Sequence, residues 1–251
     1  MTKEFELSGT VVLGVGRRGK KIAERIEKES GETPCFPLLD EKELVGWEEM
    51  MPCRKFLEIV VAGMDDANDE ALVAKLVKRA EKQKAVTVVI IGARGNHYMD
   101  IEEKCKAVIV CQKAPHMSED EQNQKLYAAV RGLVLANTIE ADVSFTVSDI
   151  AAILDGECQF GEGTDKDAVI AAKQAMKGLS GRNCLLCFLV SEGVALYDIH
   201  EAASEIQEGL GEDANIIFGI MKKKEKKGRI LAFLPDKPVE KIIQVMAYTC
   251  E

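Results

Sequence analysis

The segment Phe56-Leu-Glu-Ile-Val-Val-Ala-Gly-Met-Asp-Asp-Ala-Asn-Asp-Glu70 is followed by Ala71–Lys82, and together they predict a buried strand, a tight turn and a helix. Proteins with α/β nucleotide-binding folds keep a glycine-rich phosphate loop at such a turn. Here the turn, which we call the acidic turn (residues 62–70), has four carboxylates and no glycine after Gly63. A phosphate would meet negative charge there instead of free backbone N–H groups and positive potential.

A second turn, Gly14-Val-Gly-Arg-Arg-Gly19, lies between a predicted strand at Thr10–Leu13 and a predicted helix at Lys20–Ser30. Its GxGxxG spacing occurs in the strand-to-helix context of a nucleotide fingerprint, although the bare motif has low specificity. The basic residues that crowd it are unusual for such a fingerprint. They are Arg17, Arg18, Lys20 and Lys21.

Strands and helices alternate along the rest of the chain, which predicts a mostly parallel sheet with right-handed crossovers. Further strands are predicted at Phe36–Asp40, Val86–Ile91, Ala107–Cys111, residues 156–160, Cys184–Val190, Ile216–Met221 and Arg229–Leu234. Further helices are predicted at Ser118–Asn137, where Ser118 and Glu121 form a capping box, at Asp165–Lys177 and at Ile199–Gly209. The basic run Lys222–Lys227 is predicted to be a solvated hairpin loop between the last two strands, with a binding patch as the alternative.

The amino-acid composition excludes several classes of function and location for this protein. The net charge of −9 argues against non-specific nucleic-acid binding. No apolar run is long enough to span a membrane, and the N-terminus lacks a signal-peptide pattern, so we expect a cytoplasmic protein. The eight cysteines are then expected to be reduced. Cys184 and Cys187 have CxxC spacing but would point to opposite faces of a strand, which disfavours metal or redox chemistry.

Five parts of the chain carry motifs of one known family. They are Leu13–Gly19, Val61–Met64, Lys125–Leu133, Phe160–Ala175 and Leu196–Gly219, the last including Asp213-Ala-Asn-Ile-Ile-Phe-Gly219. These motifs resemble those of FtsZ, the bacterial and archaeal tubulin homologue, and the match is strongest after residue 150. The resemblance implies an α/β tubulin/FtsZ-like fold. It predicts a reduced nucleotide-binding-type domain at residues 1–117, a long central helix at 118–139 and a smaller α/β C-terminal domain at 140–251.

The chain departs from the family where the family binds GTP. The tubulin signature GGGTGTG is replaced by Asp65–Ala71, and the central-helix acid that faces the base aligns with Gln124. In the family's catalytic loop the first acid aligns with Thr146, while the second is retained as Asp149. The segment between residues 40 and 56 is also shorter than the family's. The resemblance therefore implies a vestigial nucleotide site, whose residues are Gly14, Gly16, Arg17, Arg18, Gly19, Lys20, Gly63, Asp65, Asp66 and Asp69.

The negative charge of the acidic turn opposes nucleotide binding. A carboxylate about 4 Å from a phosphate oxygen costs roughly 1–4 kcal/mol, whereas micromolar affinity is worth only about 8 kcal/mol. Three interpretations of the turn stay open. Asp65 or Asp66 caps the following helix; Asp65, Asp66 and Asp69 hold a divalent cation; or the acidic turn pairs with the basic cluster at residues 17–21 and fills the site.

For Asp149 the alternatives are an N-cap of a helix beginning at Ile150 and a remnant catalytic acid. The sequence thus predicts an FtsZ-like protein that has lost GTP binding and hydrolysis, has no cofactor, and self-associates or docks on another FtsZ-like protein. The alternative is a polymer-forming GTPase with an altered site that still holds GTP or GDP.

Overall fold

The architecture is one mixed sheet covered by helices on both faces. It was obtained as a computed structural model that describes residues 9–31, 33–40, 42–43, 57–95, 98–111, 113–138, 142–222 and 241–251. The strands are β1 (Thr10–Val15), β2 (Cys35–Leu38), β3 (Leu57–Ala62), β4 (Val86–Ile91), β5 (Ala107–Val110), β6 (Gly156–Asp165), β7 (Asn183–Val190), β8 (Asn215–Lys222) and β9 (Ile243–Cys250). The helices are α1 (Gly16–Ser30), α2 (Ala67–Gln83), α3 (Tyr98–Glu102), α4 (Glu119–Thr138), α5 (Val147–Ile153), α6 (Ala168–Met176) and α7 (Leu196–Leu210).

The strand order among the described residues is β2-β1-β3-β4-β5-β6-β9-β7-β8. Neighbouring strands run parallel except β9, which is antiparallel to both β6 and β7. The prediction of a mostly parallel α/β sheet is therefore confirmed. Because β5 and β6 pair in parallel, the sheet continues without a break from the N-terminal half into the C-terminal half. The domain boundaries proposed from the sequence stay predictions.

Each face of the sheet is buried under helices. On one face, α1, α4 and α5 share a single apolar core with strands from both halves of the chain. On the other face, α2 and α3 cover the N-terminal strands, and α6 and α7 cover the C-terminal strands. Cys184 packs in the core under α6 and α7, while Cys187 packs in the core under α4. Their opposite orientation confirms the prediction that the two side chains point to opposite faces of a strand.

Several predicted boundaries shift. β1 extends to Val15 and α1 begins at Gly16 rather than at Lys20. Likewise α2 begins at Ala67, four residues before the predicted Ala71, since the acidic turn supplies its first helical residues. The strand β6 is ten residues long, twice the predicted length.

The predicted C-terminal hairpin stays a prediction, because its second strand lies outside the described residues. The strand β9 was not predicted, and it lies between β6 and β7, while among the described strands β8 pairs with β7. The predicted strand Arg229–Leu234 and most of the basic run lie outside the described residues. Lys222 ends β8, and its Nζ forms an ion pair with Asp142.

Two cysteines are joined, so the prediction that all eight are reduced is wrong for this pair. Cys158 on β6 and Cys250 on β9 form a disulfide, with their Cα atoms 4.5 Å apart. They are register partners on adjacent antiparallel strands, which brings the two side chains together. No local pattern indicates this pairing, because it depends on β9, a strand that the sequence analysis does not predict.

Candidate functional site

The glycines of the first turn bring α1 close to the ends of two strands. A Cβ atom at Gly14 would lie 2.3 Å from the carbonyl oxygen of Gly19. A Cβ atom at Gly19 would lie 2.2 Å from the carbonyl oxygen of Val61 on β3. Neither position tolerates a side chain, so the GxGxxG spacing has a packing cause that needs no ligand.

The acidic turn folds as the start of a helix. Asp66 is the N-cap of α2, and its side chain accepts hydrogen bonds from the backbone N–H groups of Asn68 and Asp69, each at 2.9 Å. These bonds satisfy two of the N–H groups that a helix leaves without intrahelical partners. The capping interpretation is therefore confirmed for Asp66.

Arg18 is the buried centre of the site. Its Nη1 donates to Asp65 Oδ1 at 2.9 Å, its Nη2 to Gln122 Oε1 at 2.8 Å and its Nε to Asn123 Oδ1 at 2.7 Å. A planar guanidinium has donors on three sides, so one residue joins α1, the acidic turn and the start of α4. The predicted pairing of the basic cluster with the acidic turn is present in this one residue.

The acidic turn also contacts α1 through Asp69. A Cβ atom at Gly16, the first residue of α1, would lie 2.1 Å from Asp69 Oδ1. The carboxylate thus lies beside the N-terminal turn of α1, where a phosphate would bind to a helix N-terminus. Burial raises the pKa of Asp69, an effect that the Asp66 and Asp65 carboxylates reinforce and that the Asp65 N–H and Arg18 oppose.

The other basic residues of the first turn do not enter the site. Arg17 is 72% exposed and forms an ion pair with Glu119 at 3.6 Å. Lys20 lies 4.0 Å from Glu24 on the same helix, and Lys21 is exposed. Gly63 lies inside the site, where a Cβ atom would come within 3 Å of both Asp65 and Arg18.

Gln122 is a site residue that the sequence analysis did not identify. Besides accepting from Arg18, it donates through Nε2 to the carbonyl oxygens of Gly92 and Cys111, at the ends of β4 and β5. Gln124, aligned with the family's base-facing acid, instead accepts from Arg25 Nη1 at 2.9 Å. Gln122 is uncharged and lies two residues before the position that aligns with the family's acid, so no sequence pattern indicates its role.

Asp149 is the third residue of α5, and the prediction that it is the N-cap is wrong. Thr146 is the N-cap, and the two residues form a capping box in which Asp149 Oδ2 accepts from the Thr146 backbone N–H at 2.6 Å. The hydroxyl of Thr146 donates to the same oxygen at 2.9 Å. Asp149 therefore has a structural role in starting α5.

The geometry does not favour the cation interpretation. Within the described part of the chain, no group of three His, Cys, Asp or Glu side chains is placed to hold a metal ion. Asp65 faces Arg18, Asp66 faces the backbone of α2 and Asp69 faces α1. The three carboxylates have separate partners.

Known proteins resemble this chain in structure rather than in sequence. No protein-family model and no curated protein matches it. An empty FtsZ dimer from M. jannaschii superposes with a TM-score of 0.74 at 15% identity, covering 96% of this chain and 88% of that one. A mutant of the same FtsZ gives the same score and identity and is covered to 90%.

The chain has the FtsZ fold.

The α/β tubulin/FtsZ-like fold that the sequence motifs implied is therefore confirmed. At 15% identity the similarity establishes the fold and nothing about function. In the portion of this FtsZ-like chain that the structure describes, no helix is long and apolar enough to cross a membrane.

Proposed function

We propose that this chain is an FtsZ-like protein that neither binds nor hydrolyses GTP, and that it acts in the cytoplasm through self-association or contact with another FtsZ-like protein. The observation that carries the proposal is the ion pair between the buried Arg18 and the partly exposed Asp65, at the turn where a phosphate loop is expected. A nucleotide phosphate would have to displace Asp65 from Arg18 and approach Asp69 beside α1. Both steps oppose binding, since one breaks a charged hydrogen bond and the other brings like charges together.

Calorimetric titration of the purified protein with GTP and with GDP tests the loss of nucleotide binding. We expect no binding tighter than about 10 μM, and tighter binding would support the altered GTPase instead. A nucleotide-binding FtsZ measured in the same buffer serves as the positive control. GTP turnover is expected to equal that of a blank without protein, and turnover that disappears in Asp149→Ala would contradict the proposal.

Self-association is supported by the fold, because one of the similar M. jannaschii structures is an FtsZ dimer. Because the chain keeps the C-terminal half of the fold, it can keep the head-to-tail contacts that this half makes. Head-to-tail contacts build an open filament unless the subunits close into a ring. A cytoskeletal or cell-division role would follow from such an assembly. Sedimentation velocity over a range of concentrations, with and without GTP, should show assembly that is insensitive to nucleotide. A monomer at every concentration would favour docking on a different protein, which a pull-down from native extract would identify.

A further inference from the structure

The strand β6 extends past the end of its neighbour β5. The register between them ends at Ile109 and Cys158, whereas β6 continues to Asp165. On its other side β6 remains paired with β9 along its whole remaining length. Among the described strands, residues of β6 beyond Cys158 therefore have a neighbour on one side only.

Two hydrogen bonds show which backbone groups face the open side. The N–H of Gly156 donates to Lys106 O at 3.1 Å, toward β5, and the N–H of Thr164 donates to Gln174 Oε1 at 3.0 Å, away from β9. Backbone groups on a strand alternate sides with a period of two residues. The N–H and C=O groups of Phe160 and Glu162 therefore also point away from β9.

Nothing in the described part of the chain pairs with these four groups. The ladder with β5 ends before Phe160, and among the described residues the only side chain bonded to this edge of β6 is Gln174, at Thr164. Most of a protein's buried or half-buried backbone groups have hydrogen-bond partners. An edge with two consecutive open positions matches the backbone of one added strand.

The open edge lies in a cleft of about 630 Å³ between the first half of α4 and the end of α6. This volume falls within the range of about 300–1,000 Å³ that is typical of ligand clefts. Gly161 allows α6 to pack directly on β6, because a Cβ atom there would lie 2.0 Å from Ala175 O. The two helices thus form walls on either side of the exposed edge.

We propose that this cleft binds an extended peptide segment of a partner protein, which adds a strand to β6 at Phe160 and Glu162. Main-chain hydrogen bonds to the open edge would supply the affinity, as in other cases of strand addition. The site is separate from the acidic turn, so this proposal does not depend on whether nucleotide binds.

The lining indicates the character of the peptide. Two acidic and two basic side chains face the cleft, so their formal charges cancel. The remaining polar side chains are amides, and the apolar ones include Met117 and Leu179. A segment without net charge that has polar and apolar side chains fits this lining better than a strongly charged one.

A displayed library of random ten-residue peptides, selected on the full-length protein, provides the probe. The enriched peptide is synthesised and its Kd is measured by fluorescence polarisation. Glu162→Pro removes the open N–H and leaves the β9 side intact, while Glu162→Ala removes only the side chain and is the matched control. We expect Glu162→Pro to weaken binding at least tenfold, Glu162→Ala to change it less than about twofold, and the peptide to slow amide exchange at Glu162.

Three results would overturn the proposal. The first is equal Kd values for Glu162→Pro and Glu162→Ala. The second is peptide enrichment on the wild-type protein no greater than on a Lys177→Trp variant, in which the indole is designed to block the cleft. The third is undiminished binding of a peptide that is N-methylated at alternate residues. Should Glu162→Pro fail to fold, the N-methylated peptides decide the question with the wild-type protein. Their weaker binding would support strand addition, and equal binding would indicate recognition through side chains alone.

Discussion

The guanidinium of Arg18 and the carboxylate of Asp65 meet at 2.9 Å, 47 residues apart in sequence, with Arg18 only 8% exposed. The contact joins the glycine-containing turn at residues 14–19 to the acidic turn, the two turns that would bind a phosphate between them. Gln122 and Asn123 accept from the same guanidinium, so the start of α4 is attached to the pair. The site is thereby held together by its own side chains.

Arg18→Ala should lower the free energy of unfolding by about 2–4 kcal/mol, because it leaves Asp65 and Gln122 without their donor. Arg17→Ala is the matched control: Arg17 is the preceding residue, is largely exposed and forms only a surface ion pair. That control should change stability by less than about 0.5 kcal/mol. Urea unfolding of both variants measures the difference in unfolding free energy. If both variants lost a similar amount of stability, the hydrogen bonds of Arg18 would not be important for holding the site together.

Asp66→Ala should cost about 1 kcal/mol, since it removes the side-chain acceptor for two N–H groups of α2. Asp66→Asn keeps an acceptor oxygen and should retain most of that stability. Thermal unfolding of the two variants separates capping from charge. If both variants lose equal stability, the charge at the helix N-terminus matters more than the cap.

The sequence predicted the fold well where local pattern and burial agree. The strand β4 was predicted with its observed bounds, and the capping box of Ser118 and Glu121 forms as expected. In contrast, β9 was missed, because a strand inserted between two others is determined by long-range pairing. Within the site, the predicted basic–acidic pairing occurs, yet only Arg18 among the four basic residues takes part. The sequence could not indicate which side chain points inward.

The contribution of Glu58 to stability should fall as pH rises from about 4.5 to about 7. Burial within β3 raises the pKa of Glu58 to about 7, although the ion pair with Arg79 at 2.8 Å opposes that shift. In this window the folded protein binds more protons at Glu58 than the unfolded chain, so rising pH favours unfolding until both forms are ionised. The expected loss from Glu58 is on the order of 3 kcal/mol.

Glu58→Gln isolates this contribution. Its unfolding free energy should depend less on pH between about 5 and about 7 than that of the wild type, as measured by urea titration at several pH values. Other groups titrate equally in both proteins, so the difference between the two profiles reports Glu58. Parallel profiles would show that Glu58 is ionised throughout.

Gly16→Ala tests whether the Asp69 carboxylate lies against α1. Gly16 has φ +69°, which strains any other residue, and its added Cβ would also overlap Asp69. Gly31→Ala is the matched control, because Gly31 has φ +61° and an added Cβ there would have nothing within 4 Å. The control should lose about 1 kcal/mol from backbone strain, and Gly16→Ala should lose at least about 1 kcal/mol more.

The additional loss has a distinct signature, because removing Asp69 should recover it. In a double-mutant cycle, Asp69→Ala combined with Gly16→Ala should cost less than the sum of the two single changes. Asp69→Ala combined with Gly31→Ala should be additive, since those residues do not touch. Additivity in both cycles would place the carboxylate away from the helix N-terminus, and the position beside α1 would then be open to a phosphate.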